Sequence, residues 1–176
     1  MGADVASAIL PRPVQRRTRH RTHGAPGRFD AVAEFIAQRY GRDVRYVADV
    51  AGGQGVLSRV LRKRFNYEAE VIDPRGNTLK GVPGRAREFS AESADFYDLV
   101  VGLHPDQATR AVAEAALVRP TILIPCCNFW VPEKLGQEEL LRAIEAMYRE
   151  RGVTATRVRF PFRGPKNVGL VSAPPA

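Results

Sequence analysis

Two acids, a glycine loop and a histidine are the residues whose types and spacing could do chemistry. Asp49 stands in VADVAGGQG just ahead of Ala51, Gly52, Gly53, Gln54 and Gly55, and Asp73 stands in VIDPR 24 residues further on, followed by Pro74 and Arg75. Glycines, lacking Cβ atoms, let a turn bring its backbone N–H groups against a bound molecule. A carboxylate placed like Asp73, at the end of the next strand, can accept hydrogen bonds from both hydroxyls of an adenosine ribose. Further on, His104 and Asp106 follow Gly102 and Leu103 in VVGLHPDQAT, and Asn128 follows the adjacent Cys126 and Cys127 in PTILIPCCNFW. A histidine or carboxylate within hydrogen-bond reach of an acceptor group can take its proton.

Regular elements must bring these residues together. FDAVAEFIAQRYG sets Phe29, Val32, Ala33, Phe35 and Ile36 on one helical face, with Gly41 as a stop signal. RYVADVA, EAEVID, FYDLVVGLH and PTILIPCC read as strands, whereas VLSRVLRKRF, ATRAVAEAALV and QEELLRAIEAMYRERG read as helices. Strands and helices alternating at this pitch predict an α/β fold, a three-layer, doubly wound and mostly parallel sheet. TRVRFPF and NVGLVSA, joined by RGPK, close it as an antiparallel hairpin. In such a sheet ligands bind beyond the carboxyl ends of the strands, which is where the glycine loop, Asp73, Gly102 to His104 and Asn128 fall.

The acid ahead of the loop separates two ligand classes. A dinucleotide pyrophosphate would be repelled by Asp49, while S-adenosylmethionine carries no phosphate and has a cationic amine and sulfonium. VADVAGGQG accordingly resembles the first motif of class I methyltransferases, and VIDPR is similar to their second. The resemblance implies S-adenosylmethionine as cofactor, held by Asp49 at the methionine end, by the loop from Ala51 to Gly55, by Asp73 with Pro74 and Arg75 at the ribose, and by Gly102, Leu103 and His104. The H-x-x-x-A-T turn and the strand ending in Cys-Cys also resemble the branch containing tRNA acceptor-stem ribose 2′-O-methyltransferases, whose motifs read HLCGxATD and CCHH. His104, Ala108 and Thr109 match that pattern with one residue fewer between the histidine and the alanine; Asp106 and Gln107 replace its Cys-Gly, and Asn128 and Phe129 replace its histidines. Methyl transfer is an in-line displacement at an activated sulfonium, so alignment supplies most of the acceleration. His104, then Asp106, is the candidate for the acceptor's proton, with Asn128 orienting the acceptor. The bland reading of His104 is a strand-end cap, and that of the cysteines is small buried apolar residues. Phe129 and Trp130 either stack on a base or pack in the core, and Glu88 either approaches the adenine or lies in a solvated loop.

Bulk properties bound these readings. With 176 residues, 44% of them hydrophobic, the chain can bury one ordinary core. The excess of 27 Lys and Arg over 19 Asp and Glu leaves a net charge of +8, which favours polyanions. Arginines Arg12, Arg16, Arg17, Arg19, Arg21 and Arg28, with His20 and His23, crowd a Pro- and Gly-rich stretch read as a flexible basic arm over residues 1–26, ahead of a single domain over 27–176. Contacts from such an arm to RNA phosphates make RNA, with tRNA favoured, the expected partner, a solvated tail being the alternative. Arg157, Arg159, Arg163 and Lys166 extend that positive surface or belong to an ordinary half-exposed strand. Two adjacent cysteines give neither a disulfide framework nor zinc spacing, so a reducing cytoplasm and no metal are expected. No apolar run is long enough for a membrane span. Competing functions are a methyltransferase of a small metabolite, a catalytically silent partner subunit with the same fold and, more distantly, a dehydrogenase.

Overall fold

The β-branched runs YVADV and LVVGL are buried at all but one of their positions, as strands covered on both faces must be. The computed structural model describes residues 24–176, so residues 1–23 of the basic arm lie outside it. Seven strands, β1 (Tyr46–Val50), β2 (Glu68–Ile72), β3 (Gly84–Arg85), β4 (Leu99–Leu103), β5 (Thr121–Ile124), β6 (Thr154–Arg159) and β7 (Val168–Ala173), form one sheet among the described residues. They alternate with helices α1 (Arg28–Tyr40), α2 (Val56–Phe65), α3 (Thr109–Ala115) and α4 (Gln137–Glu150). The strand order is β3-β2-β1-β4-β5-β7-β6, parallel except for β7, which runs antiparallel to both β5 and β6. This is the expected three-layer doubly wound sheet, and its order reverses between β1 and β4.

Alternation along β1 divides the core. Val47 joins Leu99, Val101, Ile122 and Ile124 under α1 and α2, where Val32, Ile36, Leu57 and Leu61 are buried. Ala48 and Val50 join Val100 and Leu123 on the opposite face, under α3 and α4, against Val112, Leu140, Leu141 and Ile144. Asp49 shares the parity of Val47 and therefore points toward α2. Gly41, at φ 52°, ends α1 as expected and donates its N–H to the Ala37 carbonyl. Of the five residues expected on the buried face of α1, Phe29 and Phe35 are only half-buried.

Three elements differ from the sequence expectation. FYD does not belong to β4: a 3-10 turn over Ala91–Phe96 precedes it, and the Asp98 carboxylate accepts the N–H groups of Arg45 and Tyr46 at 2.9 and 2.8 Å. Strand β5 stops at Ile124 because Pro125 has no N–H to continue a ladder. The hairpin connection spans residues 160–167 and is no tight RGPK turn, because Phe160 and Phe162 leave the sheet to become buried, Phe160 meeting Phe35 edge-on at 5.1 Å.

Candidate functional site

The turn after β1 is shaped by two close approaches. Ala51 adds one more ladder bond, its N–H to the Ile72 carbonyl at 2.8 Å, and then turns at φ 53°. A Cβ on Gly52 would lie 2.5 Å from the Asp49 carboxyl group, so only glycine lets the loop fold over that acid. Gly55, at φ 78°, begins α2 in the left-handed region, and a Cβ there would strike Val71 at 2.6 Å.

Asp49 is 1% exposed. Its Oδ2 accepts the Ser58 hydroxyl at 2.9 Å and the Ser58 N–H at 3.2 Å, supplying the anion that the first turn of α2, without an acid of its own, lacks. Burial pushes its carboxyl up to about 6; the two Ser58 bonds oppose this and the charge of Asp73 adds to it. Asp73, at the tip of β2, is equally enclosed. Its Oδ2 accepts the Gly53 N–H at 2.9 Å, so the glycine loop and the second acid are bonded to each other. The Arg75 guanidinium forks onto the same carboxylate, Nε to Oδ1 at 2.9 Å and the terminal nitrogen to Oδ2 at 2.7 Å. These bonds hold Asp73 below its ordinary value against the opposing effect of burial. Arg75 is largely exposed, and Pro74 and Gly76 complete the turn, with the Gly76 N–H on the Asp73 carbonyl at 3.1 Å.

Across the crevice, β4 carries the chain into its own strained turn. Gly102 lets α3 approach, since a Cβ would stand 3.0 Å from the Val112 methyls. Leu103 is buried, and His104 and Asp106 follow at φ 57° and 47°. Three of the four described non-glycine residues with positive φ, Ala51, His104 and Asp106, thus lie on these two turns, where strain of about 1 kcal/mol each concentrates. His104 Nε2 is 2.9 Å from the Lys166 carbonyl. A carbonyl only accepts, so Nε2 carries the proton and Nδ1 is left as the basic nitrogen. Burial holds the imidazole below its ordinary value; the Lys166 bond and Asp106 pull it upward, while Arg28 and the Lys166 ammonium reinforce burial.

Asp106 Oδ1 accepts the Cys126 thiol at 3.0 Å, and the Lys166 ammonium lies 3.6 Å from the Cys127 sulfur. Burial, followed by the bond to Asp106, raises the Cys126 thiol well above its ordinary value, so it is no thiolate nucleophile as it stands. Asp106, Cys126 and Cys127 present their ligand atoms within 4.8 Å of one another, a cluster that cysteine spacing alone does not reveal.

Asn128 is spent on its own loop. Its amide nitrogen donates to the carbonyls of Val131 and Glu133, and its oxygen accepts the N–H groups of Trp130 and Val131. Trp130 packs on the α3–α4 side of the core under the Arg110 guanidinium, 4.2 Å from the ring centre, while Phe129 is exposed. Glu88 lies exposed in the loop after β3. Arg157 is held by Glu138 and Glu145, with bonds of 2.6 to 2.9 Å, and so adds little free positive charge. Ser58 and Lys166, which complete the surroundings of Asp49 and His104, carry no sequence signal for those roles; Lys166 is 62 residues from its partner. A cavity of about 630 Å³ opens at the other end of the strands, among Arg42, Arg45, Arg62 and Tyr67, away from both acids.

The architecture is that of class I methyltransferases. The chain is similar to the sugar N-methyltransferase KedS8 from Streptoalloteichus sp. ATCC 53650, at 14% identity and a TM-score of 0.54 over 97% of this chain and 100% of that one. It is also similar to a Methanococcus maripaludis protein provisionally assigned as an S-adenosyl-L-methionine-dependent methyltransferase, at 13% identity and a TM-score of 0.57 over 84% and 85% of the two chains. PigF, solved with SAH, gives 14% identity and a TM-score of 0.50 over 82% of this chain and 54% of its own. At such identities the likeness is one of fold. No protein-family model and no curated protein matches the sequence. No described helix is long and apolar enough to cross a membrane.

Proposed function

We propose that the chain is an S-adenosylmethionine-dependent methyltransferase. The observation that carries this reading is the bond from the Gly53 N–H to Asp73, which sets two enclosed carboxylates on neighbouring strand tips under one glycine loop. That donor set fits a ligand with a diol at one end and a cation at the other, and the acid under the loop disfavours a pyrophosphate. Asp73 would take the ribose hydroxyls once the exposed Arg75 side chain turns aside. The loop from Gly52 to Gly55, with the charge of Asp49 beneath it, would hold the methionine end, and Gly102, Leu103 and His104 would flank the reacting centre. The bound cofactor supplies an activated methyl group. His104 Nδ1 is the site to which an acceptor proton would pass, and Asp106 orders the same rim.

RNA is the acceptor we favour, on the net charge of +8 and the arginine-dense arm. The acceptor-stem tRNA branch rests on the sequence resemblance at His104, Ala108 and Thr109 alone. A small acceptor is the second reading, supported by the pairing of Arg157 with Glu138 and Glu145, which neutralises one of the cations of β6.

The test is direct binding of S-adenosylmethionine to the wild type and to Asp73→Ala, followed by incubation of labelled cofactor with total RNA and with a metabolite extract. Micromolar binding that falls at least roughly tenfold in the variant is expected, since a buried acceptor of two hydroxyl bonds is lost. Equal affinity in the two proteins refutes the placement of the ribose, and label confined to small molecules refutes RNA.

A further inference from the structure

We propose that Asp106, Cys126 and Cys127 form a site for a thiophilic divalent cation of the Zn²⁺ type, held by two thiolates and one carboxylate with a fourth position open. The three donors come from two different turns, one after β4 and one after β5, and all three ligand atoms lie within 4.8 Å of one another. In a tetrahedral site with ordinary zinc distances, two sulfurs stand about 3.8 Å apart and a sulfur and an oxygen about 3.6 Å apart. The Cys126 sulfur and Asp106 Oδ1 are 3.0 Å apart, so adjustments of under about 1 Å open the cluster to the size of an ion. Donor type points the same way: mixed thiolate and carboxylate sets suit zinc, and three protein ligands are the catalytic pattern, in which water or a substrate group completes the shell.

Charge and backbone agree with this assignment. Three deprotonated donors around a divalent ion leave one negative charge, and that charge faces Lys166, 3.6 Å from the Cys127 sulfur, and Arg28, which is in electrostatic contact with Cys126. Lys166 has a flexible stem that can withdraw from the sulfur. Asp106 is kept at φ 47°, a strained value for a non-glycine residue, and in that pose its carboxylate meets the neighbouring turn. The open position lies on the rim that also carries Arg75, whose charge interacts with Asp106. A hydroxyl coordinated there would be acidified, as water is on catalytic zinc. That last step rests on the methyltransferase reading; the binding of the ion does not.

The chain has only two cysteines, so any sulfur-to-metal absorption must come from this pair. Reduced, metal-free full-length protein is titrated with Co²⁺ and then with Zn²⁺. We expect a saturable one-to-one sulfur-to-cobalt charge-transfer band in the near ultraviolet, bleached by Zn²⁺, in a protein that stays monomeric by sedimentation. Cys127→Ser and Cys126→Ser should each weaken the ion by roughly tenfold or more and diminish the band, while Asp106→Asn weakens it and keeps the band. Near-ultraviolet circular dichroism and SAH binding of the same samples verify folding and separate the two proposals. Wild type that binds Co²⁺ but not SAH sinks the methyltransferase reading alone. Absence of the band at stoichiometric Co²⁺, a band found only in dimers, or unchanged affinity in Asp106→Asn overturns the site.

Discussion

Replacing Asp49 by Asn should make this protein more stable and a poorer binder of the proposed cofactor. The substitution keeps the shape of the side chain and removes its charge. In the native state burial raises the carboxyl from 3.8 to about 6, whereas in the unfolded chain it titrates near its ordinary value. Below about pH 3 the group is protonated in both states and contributes nothing. As pH rises toward 6 the unfolded chain gives up the proton and the native state keeps it, so stability falls; above 6 the loss is complete, at about 3 kcal/mol. An amide oxygen in the place of Oδ2 still accepts both the Ser58 N–H and the Ser58 hydroxyl, so most of the local bonding survives. The expected gain at pH 7.5 is about 1 to 3 kcal/mol, or roughly 3 to 10 °C in Tm for a chain of this length. Thermal unfolding followed by circular dichroism from pH 4 to 8 measures it, and the two curves should converge at the acid end. The cofactor arm runs the other way. A cationic ligand favours the ionised acid, so wild-type affinity for S-adenosylmethionine should rise between pH 5 and 7 and stay flat in Asp49→Asn. Burial also holds the His104 imidazole below its ordinary value, so His104→Gln is measured alongside and should retain the rise. Parallel stability curves for wild type and Asp49→Asn, or a variant that melts lower at pH 7.5, would refute the claim that this carboxylate is kept at a cost to folding.

Gly52→Ala puts a methyl group 2.5 Å from the Asp49 carboxyl, and overpacking of this kind should destabilise the protein by about 1 to 3 kcal/mol and weaken cofactor binding with it; chemical denaturation that leaves the midpoint unchanged would contradict that close approach. Deleting residues 1–23 should lower RNA affinity and flatten the plot of log affinity against log salt, because phosphate contacts release counterions; an identical slope would make the arm a passive tail.

Much of the fold is legible in the residue pattern because each local rule acts over a few positions. The β-branched apolar run in YVADV, the helical spacing of QEELLRAIEAMY and the stop at Gly41 all depend on neighbours within one or two turns, and the structure contains β1, α4 and the end of α1 accordingly. The short β3, the 3-10 turn before β4 and the long hairpin connection are different. They depend on distant partners that no local period encodes: β3 on its pairing with β2, the segment before β4 on Asp98 with Tyr46, and the connection on Phe160 with Phe35.

For the site, residue type and spacing alone identified an acid-led glycine turn and a second acid a strand later, the pattern on which the expectation of a cationic adenosyl ligand rather than a pyrophosphate rests. Packing alone decided the rest. Asp49 became a buried partner of Ser58, Arg75 became the counterion of Asp73, and Asn128 was drawn into its own loop. Two turns separated by some twenty residues brought a carboxylate against a pair of thiols. Desolvation and hydrogen-bond geometry set the charge and reach of each group, and both exist only once the chain has closed around it.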